Sequence, residues 1–230
     1  MQRVLAVAAH PDDESFLFGG LLSAHAARGG RAGLLCLTDG QAGRTGGLCT
    51  RDELGAVRRE ELHRAVGRLG IQEFFTPGMS DGNLDKTDDA AGARLVEEYA
   101  ARFGADVLLT FGPEGASGHP DHKACWRWAC AAGVETVFAA TFPAGLELPR
   151  GGVPLPVTHV VNVAEAAVHK REAFLEHRTQ RDHQALFDRM LAAFDGREYY
   201  HRVRPAWVGA APARGIAGTG GDTAARLDEE

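Results

Sequence analysis

The stretch Arg3-Val4-Leu5-Ala6-Val7-Ala8-Ala9-His10-Pro11-Asp12-Asp13-Glu14 decides how this chain is read. Residues 3–9 form a short apolar run suited to a buried strand. Pro11 ends ladder pairing within a residue or two, so an imidazole and two aspartates stand where a strand stops and a loop begins. From Ser15 the pattern turns helical, with Phe16, Leu17, Gly20, Leu21 and Ala24 along one side. In open α/β sheets, ligands bind at these carboxyl ends of the strands. Asp12 and Asp13 repel one another, and such a pair calls for a cation or a proton between them. A histidine beside an aspartate offers one nitrogen and one oxygen ligand of the kind zinc accepts. The plainer account is a polar strand-to-helix loop with Glu14 near the helix start.

A second stretch weighs against the plainer account. Val107-Leu108-Leu109-Thr110-Phe111 reads as another buried strand, followed by the flexible Gly112–Gly118, then His119-Pro120-Asp121-His122, then a helical pattern from Ala124 to Ala132. Strand, loop, His and Asp, helix: the arrangement recurs. If both strands run parallel in one sheet, both polar clusters lie on the same edge. An open catalytic zinc site needs three protein ligands and a water, and these stretches supply enough.

His10-Pro11-Asp12-Asp13-Glu14, followed by Gly19-Gly20 and later by His119-Pro120-Asp121-His122, resembles the LmbE-like (PIG-L) zinc-dependent N-deacetylases of N-acetylglucosaminyl compounds. The resemblance spans most of residues 3–202. With the alternation of strand and helix patterns, it implies an α/β, Rossmann-like three-layer fold. The central sheet is expected to be mostly parallel, with the active site at the C-terminal ends of its strands.

The 230 residues suit one domain with a sizeable core, and residues 1–209 are expected to form it. The Ala/Gly/Thr-rich segment 210–230 lacks periodicity and is expected to be a flexible tail. A formal charge of −6 with no long basic run speaks against nucleic acid as a partner. Cys36, Cys49, Cys125 and Cys130 contain no CxxC pair and suggest free thiols in a reducing compartment. Arg3 precedes only a brief apolar run, which is no proper signal peptide, and no stretch approaches the roughly 20 apolar residues of a membrane span. The expectation is a cytoplasmic protein without a membrane partner. A homo-oligomer stays open.

Between the two motifs, residues 31–38 read as a strand leading into the polar turn Thr38–Gly43. Members of the family often carry T-x-G-E-x-G here, and Gln41 departs from it. A phosphate-cradling loop is the rival reading, but the lysine of a P-loop is absent. Residues 44–50 are expected to be a loop over the site. Residues 51–69 form an amphipathic helix in which Arg58 and Glu61 sit one turn apart. A surface ion pair is the plainer account of these two. The family carries R-x-x-E at this place, with the arginine on the substrate, and by that resemblance Arg58 binds substrate. After a short strand over 72–76 comes a turn containing Asp81, which matches an aspartate that holds sugar hydroxyls in the family. A helix is expected over 90–103, strands over 134–140 and 157–163, and helix over 165–194 with room for an interruption. The loop 142–156 is expected to line one side of the pocket. His177-Arg178-Thr179-Gln180 resembles the family's H-x-S/T-Q signature, whose His and Gln more often brace the fold than perform chemistry. Glu198-Tyr199-Tyr200-His201-Arg202 is a partial match whose Tyr or His could reach the pocket.

The resemblance implies that His10, Asp13 and His122 bind one zinc per subunit, with another divalent metal as the alternative. From the residues alone, His119 and His122 are interchangeable as the third ligand. Asp12, not needed as a ligand, becomes the candidate general base. His119, as an imidazolium, would stabilise the oxyanion and protonate the leaving amine, with Asp121 orienting its ring. Asp12 and His119 can also divide the proton transfers differently. The expected activity is removal of an N-acetyl group from a small-molecule N-acetylated sugar conjugate, giving amine and acetate. The compact chain, the H-P-D-D-E-S-F start and the H-R-T-Q segment resemble the N-acetylglucosaminyl-malate deacetylases of bacillithiol synthesis. Mycothiol-type and antibiotic-precursor deacetylases share the same residues. So does an amidase acting on other groups. A non-catalytic sugar-binding module is the reading from another class, and a base beside the ligands argues against it.

Overall fold

A computed structural model describes residues 1–146, 148 and 152–204. Strand β1 (Arg3–Ala8) leads through a π-helical turn (Glu14–Phe18) into α1 (Gly19–Ala27). Then come β2 (Arg31–Cys36), α2 (Leu54–Leu69), β3 (Glu73–Phe75), α3 (Asp89–Phe103) and β4 (Val107–Thr110). A single turn α4 (Gly115–Gly118) precedes α5 (Pro120–Ala131), β5 (Thr136–Thr141), β6 (His159–Asn162), α6 (Ala167–Glu176), α7 (Gln184–Phe194) and β7 (Arg197–Arg204).

The strands form one sheet in the order β3-β2-β1-β4-β5-β7-β6. The first five in that order are parallel, with Val4 opposite both Ala32 and Val107. β7 runs antiparallel between β5 and β6. Strands buried on both faces need apolar side chains at every position, and Val4 to Ala8 are all fully buried. Helices α1, α2 and α6 pack together, while α3 packs on α5 and both touch β1, which gives three layers. Chain order reverses between β1 and β4, the topological switch point at which such sheets bind ligands. Both sequence motifs follow these two strands, so the expected shared edge is the observed one.

Several boundaries differ from the sequence reading. Helix α5 starts at Pro120, ahead of the helical pattern expected from Ala124, with Pro at its first turn and the His119 side chain accepting the Asp121 N–H as N-cap. The helical stretch 165–194, read with room for an interruption, breaks at His177, where φ is −79° and ψ 66°. Strand β7 was not expected, because its Arg, Glu and His disguise it. Only its alternation, with Glu198 and Tyr200 buried, marks one face of a strand. The one hydroxyl proton of Tyr200 is shared between Glu198 Oε2 at 2.9 Å and Leu17 O at 3.2 Å, and His201 Nδ1 meets Pro156 O, so these two side chains are not spent on the site. The expected loop 142–156 lies only partly within the described residues, and the expected tail 210–230 lies outside them. No disulfide joins the cysteines among the described residues. No helix among them is long and apolar enough to cross a membrane.

Candidate metal and catalytic site

All eight residues singled out from the sequence lie at this one sheet edge. Two loops bring the rest of them there. Thr38 bridges in parallel to Met79, so the turns after β2 and β3 run alongside the His10 loop. The turn after β3 then sets Asp81 Oδ1 at 3.1 Å from His10 Nε2. Helix α5 supplies Asp121, whose Oδ2 lies 3.2 Å from the same nitrogen.

These contacts assign the nitrogens of both histidines. His10 Nε2 carries its proton toward Asp81 and Asp121, which leaves Nδ1 as the free acceptor. His122 Nδ1 lies 3.0 Å from the Gly115 carbonyl and must donate to it, leaving Nε2 free. The two free nitrogens face each other at 3.3 Å. Asp13 Oδ1 is 3.2 Å from His122 Nε2, and Asp13 Oδ2, 3.6 Å from His10 Nδ1, accepts the backbone N–H of Ala9 and His10. Ligands about 2.0 Å from a tetrahedral ion are about 3.3 Å apart, so this trio has the spacing of a coordination shell. His10, His119 and His122 also form a trio, with ligand atoms within 4.8 Å. Phe111 stacks on the His122 ring at 4.1 Å between centroids and fixes its plane.

The charges lead to the same place. Asp12, Asp13, Glu14, Asp81 and Asp121 are all buried here, and Arg58 is the fixed cation buried among them. Burial raises the Asp13 carboxyl, but the adjoining His122 and His10 outweigh it and hold it well below the ordinary carboxylate range. Burial lowers His10, yet hydrogen bonds to Asp121, Asp13 and Asp81 lift it well above an ordinary histidine. Without a metal, a proton on His10 supplies the positive charge that this cluster demands. The donor set thus fits a divalent ion.

Asp12 differs from its neighbour. Burial, only partly offset by Arg58, raises its pKa, and Asp13 adds to the rise. Its φ is 114°, which costs a non-glycine residue of the order of 1–3 kcal/mol. Arg58 Nη2 lies 3.5 Å from Asp12 Oδ2.

One expected contact is corrected, and one plainer account is excluded. Asp121 does not take its carboxylate to His119. Its Oδ1 accepts from Leu84 N and its Oδ2 from Gly82 N and His10, because the first turn of α5 points it at the β3 turn. Its link to His119 is the backbone N–H on Nδ1 at 3.2 Å. That bond puts the neutral ring's proton on Nε2. Burial, then the charges of His10 and His122, lower the His119 pKa, which works against the imidazolium. Arg58 and Glu61 are not a surface ion pair. Arg58 is buried, with its guanidinium on Gly40 O, Pro11 O and Asp12, while Glu61 accepts from Thr179 N and Oγ1. Gly40 makes room for it: φ is 65°, and a Cβ there would lie 2.3 Å from Arg58 Nη1. Asp81 is likewise engaged within the protein, by His10 and by Ala42 N.

Sequence reasoning passed over Glu14 and gave His177 only a bracing role. Both are fully buried, and His177 Nε2 lies 2.7 Å from Glu14 Oε1. Burial pushes the His177 pKa down, but the Glu14 carboxylate reverses this and raises it. Gln41, the departure from the family pattern, donates to Met79 O at 3.0 Å.

Comparison with known proteins bears on this geometry. A family model described as PIG-L, GlcNAc-PI de-N-acetylase, matches residues 5–133. The chain is 31% identical over 191 residues to "Probable N-acetyl-alpha-D-glucosaminyl L-malate deacetylase 2" of Bacillus anthracis, covering 78% of this chain and 81% of the relative. It is 34% identical over 141 residues to "1D-myo-inositol 2-acetamido-2-deoxy-alpha-D-glucopyranoside deacetylase" of Corynebacterium diphtheriae, covering 52% of this chain and 48% of that relative. Among solved structures, a conserved protein of Thermus thermophilus superposes with a TM-score of 0.72 at 24% identity. That match covers 93% of this chain and all of the other, and it shows the fold.

Proposed function

This chain belongs to the PIG-L family of metal-dependent de-N-acetylases and is a deacetylase of N-acetylglucosaminyl conjugates. From that premise we propose that it is a zinc enzyme, with His10, Asp13 and His122 as ligands, and that it acts on N-acetylglucosaminyl-malate. One observation carries the metal assignment. His10 Nδ1, His122 Nε2 and the Asp13 carboxylate converge at 3.2–3.6 Å, while the far nitrogen of each ring is committed to another partner. This favours His122 over His119 as the third ligand. The fit to malate rests on the Bacillus relative, which the chain matches over most of its length. Residues 1–209 are proposed to be the single catalytic domain.

When bound, zinc supplies Lewis acidity, polarising an amide carbonyl and making water acidic enough to be deprotonated near neutral pH. Asp12 takes the proton from the attacking water. The same carboxylate then passes that proton to the leaving amine, so one group serves both transfers. His119, neutral and with its proton on Nε2, donates a hydrogen bond to the oxyanion. Asp81 and Asp121 keep the His10 ring oriented. Asp81, through its remaining lone pairs, and Arg58 are the residues we place at the sugar hydroxyls.

Amine release by the zinc-loaded protein tests the substrate assignment, with N-acetylglucosaminyl-malate, the inositol-linked analogue and free N-acetylglucosamine side by side. The proposal predicts the highest kcat/KM for the malate conjugate. Preference for the inositol conjugate would move the enzyme to the mycothiol type, and turnover of none of the three would remove the thiol-pathway assignment.

A further inference from the structure

We propose that His177 is a positioning residue for the base: it fixes Glu14, and Glu14 fixes the Asp12 peptide. The inference rests on the reading of Asp12 as general base. His177 lies 163 residues beyond Glu14, at the break between α6 and the following turn. Its Nε2–H donates to Glu14 Oε1, and the Ser15 hydroxyl donates to the same oxygen at 2.6 Å. The other oxygen, Oε2, accepts the Asp12 N–H at 2.9 Å. On its far side, the Asp12 carbonyl accepts from Ser15 N and Phe16 N at 3.0 and 3.1 Å. The Asp12 backbone, at a φ of 114°, is therefore gripped at both ends. A residue in that conformation persists only where its surroundings over-determine it.

Two features separate this from a pair that merely fills the core. His177 Nδ1 is buried with no partner, so the whole polar contribution of the ring is its bond to Glu14. The chain of contacts then ends on the peptide of the base and not on another packed side chain. The segment carrying His177 is itself anchored to the site. Thr179 N and Oγ1 donate to Glu61 on α2, the helix of Arg58, and Gln180 Nε2 donates to Arg44 O at 3.0 Å. A segment remote in sequence thus locks the base loop, α2 and the 40s loop to one another.

The test compares two amide substitutions in the zinc-loaded protein. The amide nitrogen of His177→Gln sits where Nε2 does, and that of His177→Asn where Nδ1 does. The proposal expects H177N to lose about 10- to 100-fold in kcat. KM should stay within about twofold and zinc content should be unchanged. H177Q should recover most of the loss. Equal loss in both variants, or zinc lost along with activity, would overturn the proposal in favour of a structural role. A wild-type kcat in H177N would overturn it outright. Should H177N fail to fold, Ser15→Ala decides, because it removes the second donor to Glu14 Oε1. A lowered kcat at unchanged KM supports the proposal, and an unchanged kcat contradicts it. Asp12→Asn is assayed alongside: activity retained there would sink the base assignment and this inference together. Activity lost in D12N but kept in H177N would sink the positioning role alone.

Discussion

His10 uses its two nitrogens for different tasks, and the partners of one decide the availability of the other. Asp81 and Asp121 both sit on Nε2, within 3.2 Å, so the proton is held there and Nδ1 faces Asp13 and His122. Outer partners of this kind are typically worth about 10- to 100-fold in metal affinity or activity. Asp121→Asn should therefore weaken zinc binding by about that factor, measured by competition with a chelator. Unchanged affinity would show that Asp81 alone orients the ring. The sequence displayed the ligand types plainly, because H-P-D-D-E and H-P-D-H each crowd imidazole and carboxylate into a few residues. It could not display which carboxylate serves which ring. Asp121 is two residues from His119 in the chain, yet its carboxylate is aimed across the sheet edge at His10. Such pairings are set by where helices and turns meet, and the intervals within a motif do not carry them.

At the scale of elements, α5 is held against α3 by one close approach. Trp128 is fully buried, and a Cβ added at Gly92 would lie 2.1 Å from its ring. Its Nε1 donates to Asp89 Oδ1 at 2.8 Å, which ties the same two helices. Gly92→Ala should destabilise the protein by about 1–3 kcal/mol through overpacking, read from a denaturant midpoint. A midpoint equal to that of the parent would mean that the two helices can separate freely. Strands β1 and β4 were legible as unbroken apolar runs, because central parallel strands are buried on both faces. Strand β7 was not. Its buried positions are Glu198 and Tyr200, and the acid is satisfied by Gly20 N, Leu21 N, Lys170 and Tyr200, none adjacent in sequence. The start of α5 was likewise hidden, since the apolar pattern sets in only at Ala124 while the His119 cap opens the helix at Pro120.

Across the whole molecule, one sheet edge concentrates negative charge, and the protonation of that edge is coupled to folding and to metal. In the metal-free protein the raised pKa of His10 stabilises the fold. That contribution is fully present below the unfolded value near 6.5 and is lost as pH rises through the folded value. A zinc ion held by His10 Nδ1, as proposed, would displace this proton. Apparent zinc affinity should therefore weaken by about tenfold per unit as pH falls below the raised value, with about one proton released per ion bound. Calorimetry in buffers of different ionisation enthalpy measures the release, and binding without proton release would contradict the cluster described. In the proposed site His10, Asp13 and His122 hold the metal while Asp12 moves the proton. The most direct test is the zinc-to-protein ratio of Asp12→Asn, taken on the same sample as its deacetylation rate. One zinc per chain, as in the parent, is expected, with a rate reduced by about 10²- to 10⁴-fold. Loss of zinc would make Asp12 a ligand, and a parental rate would place the base elsewhere.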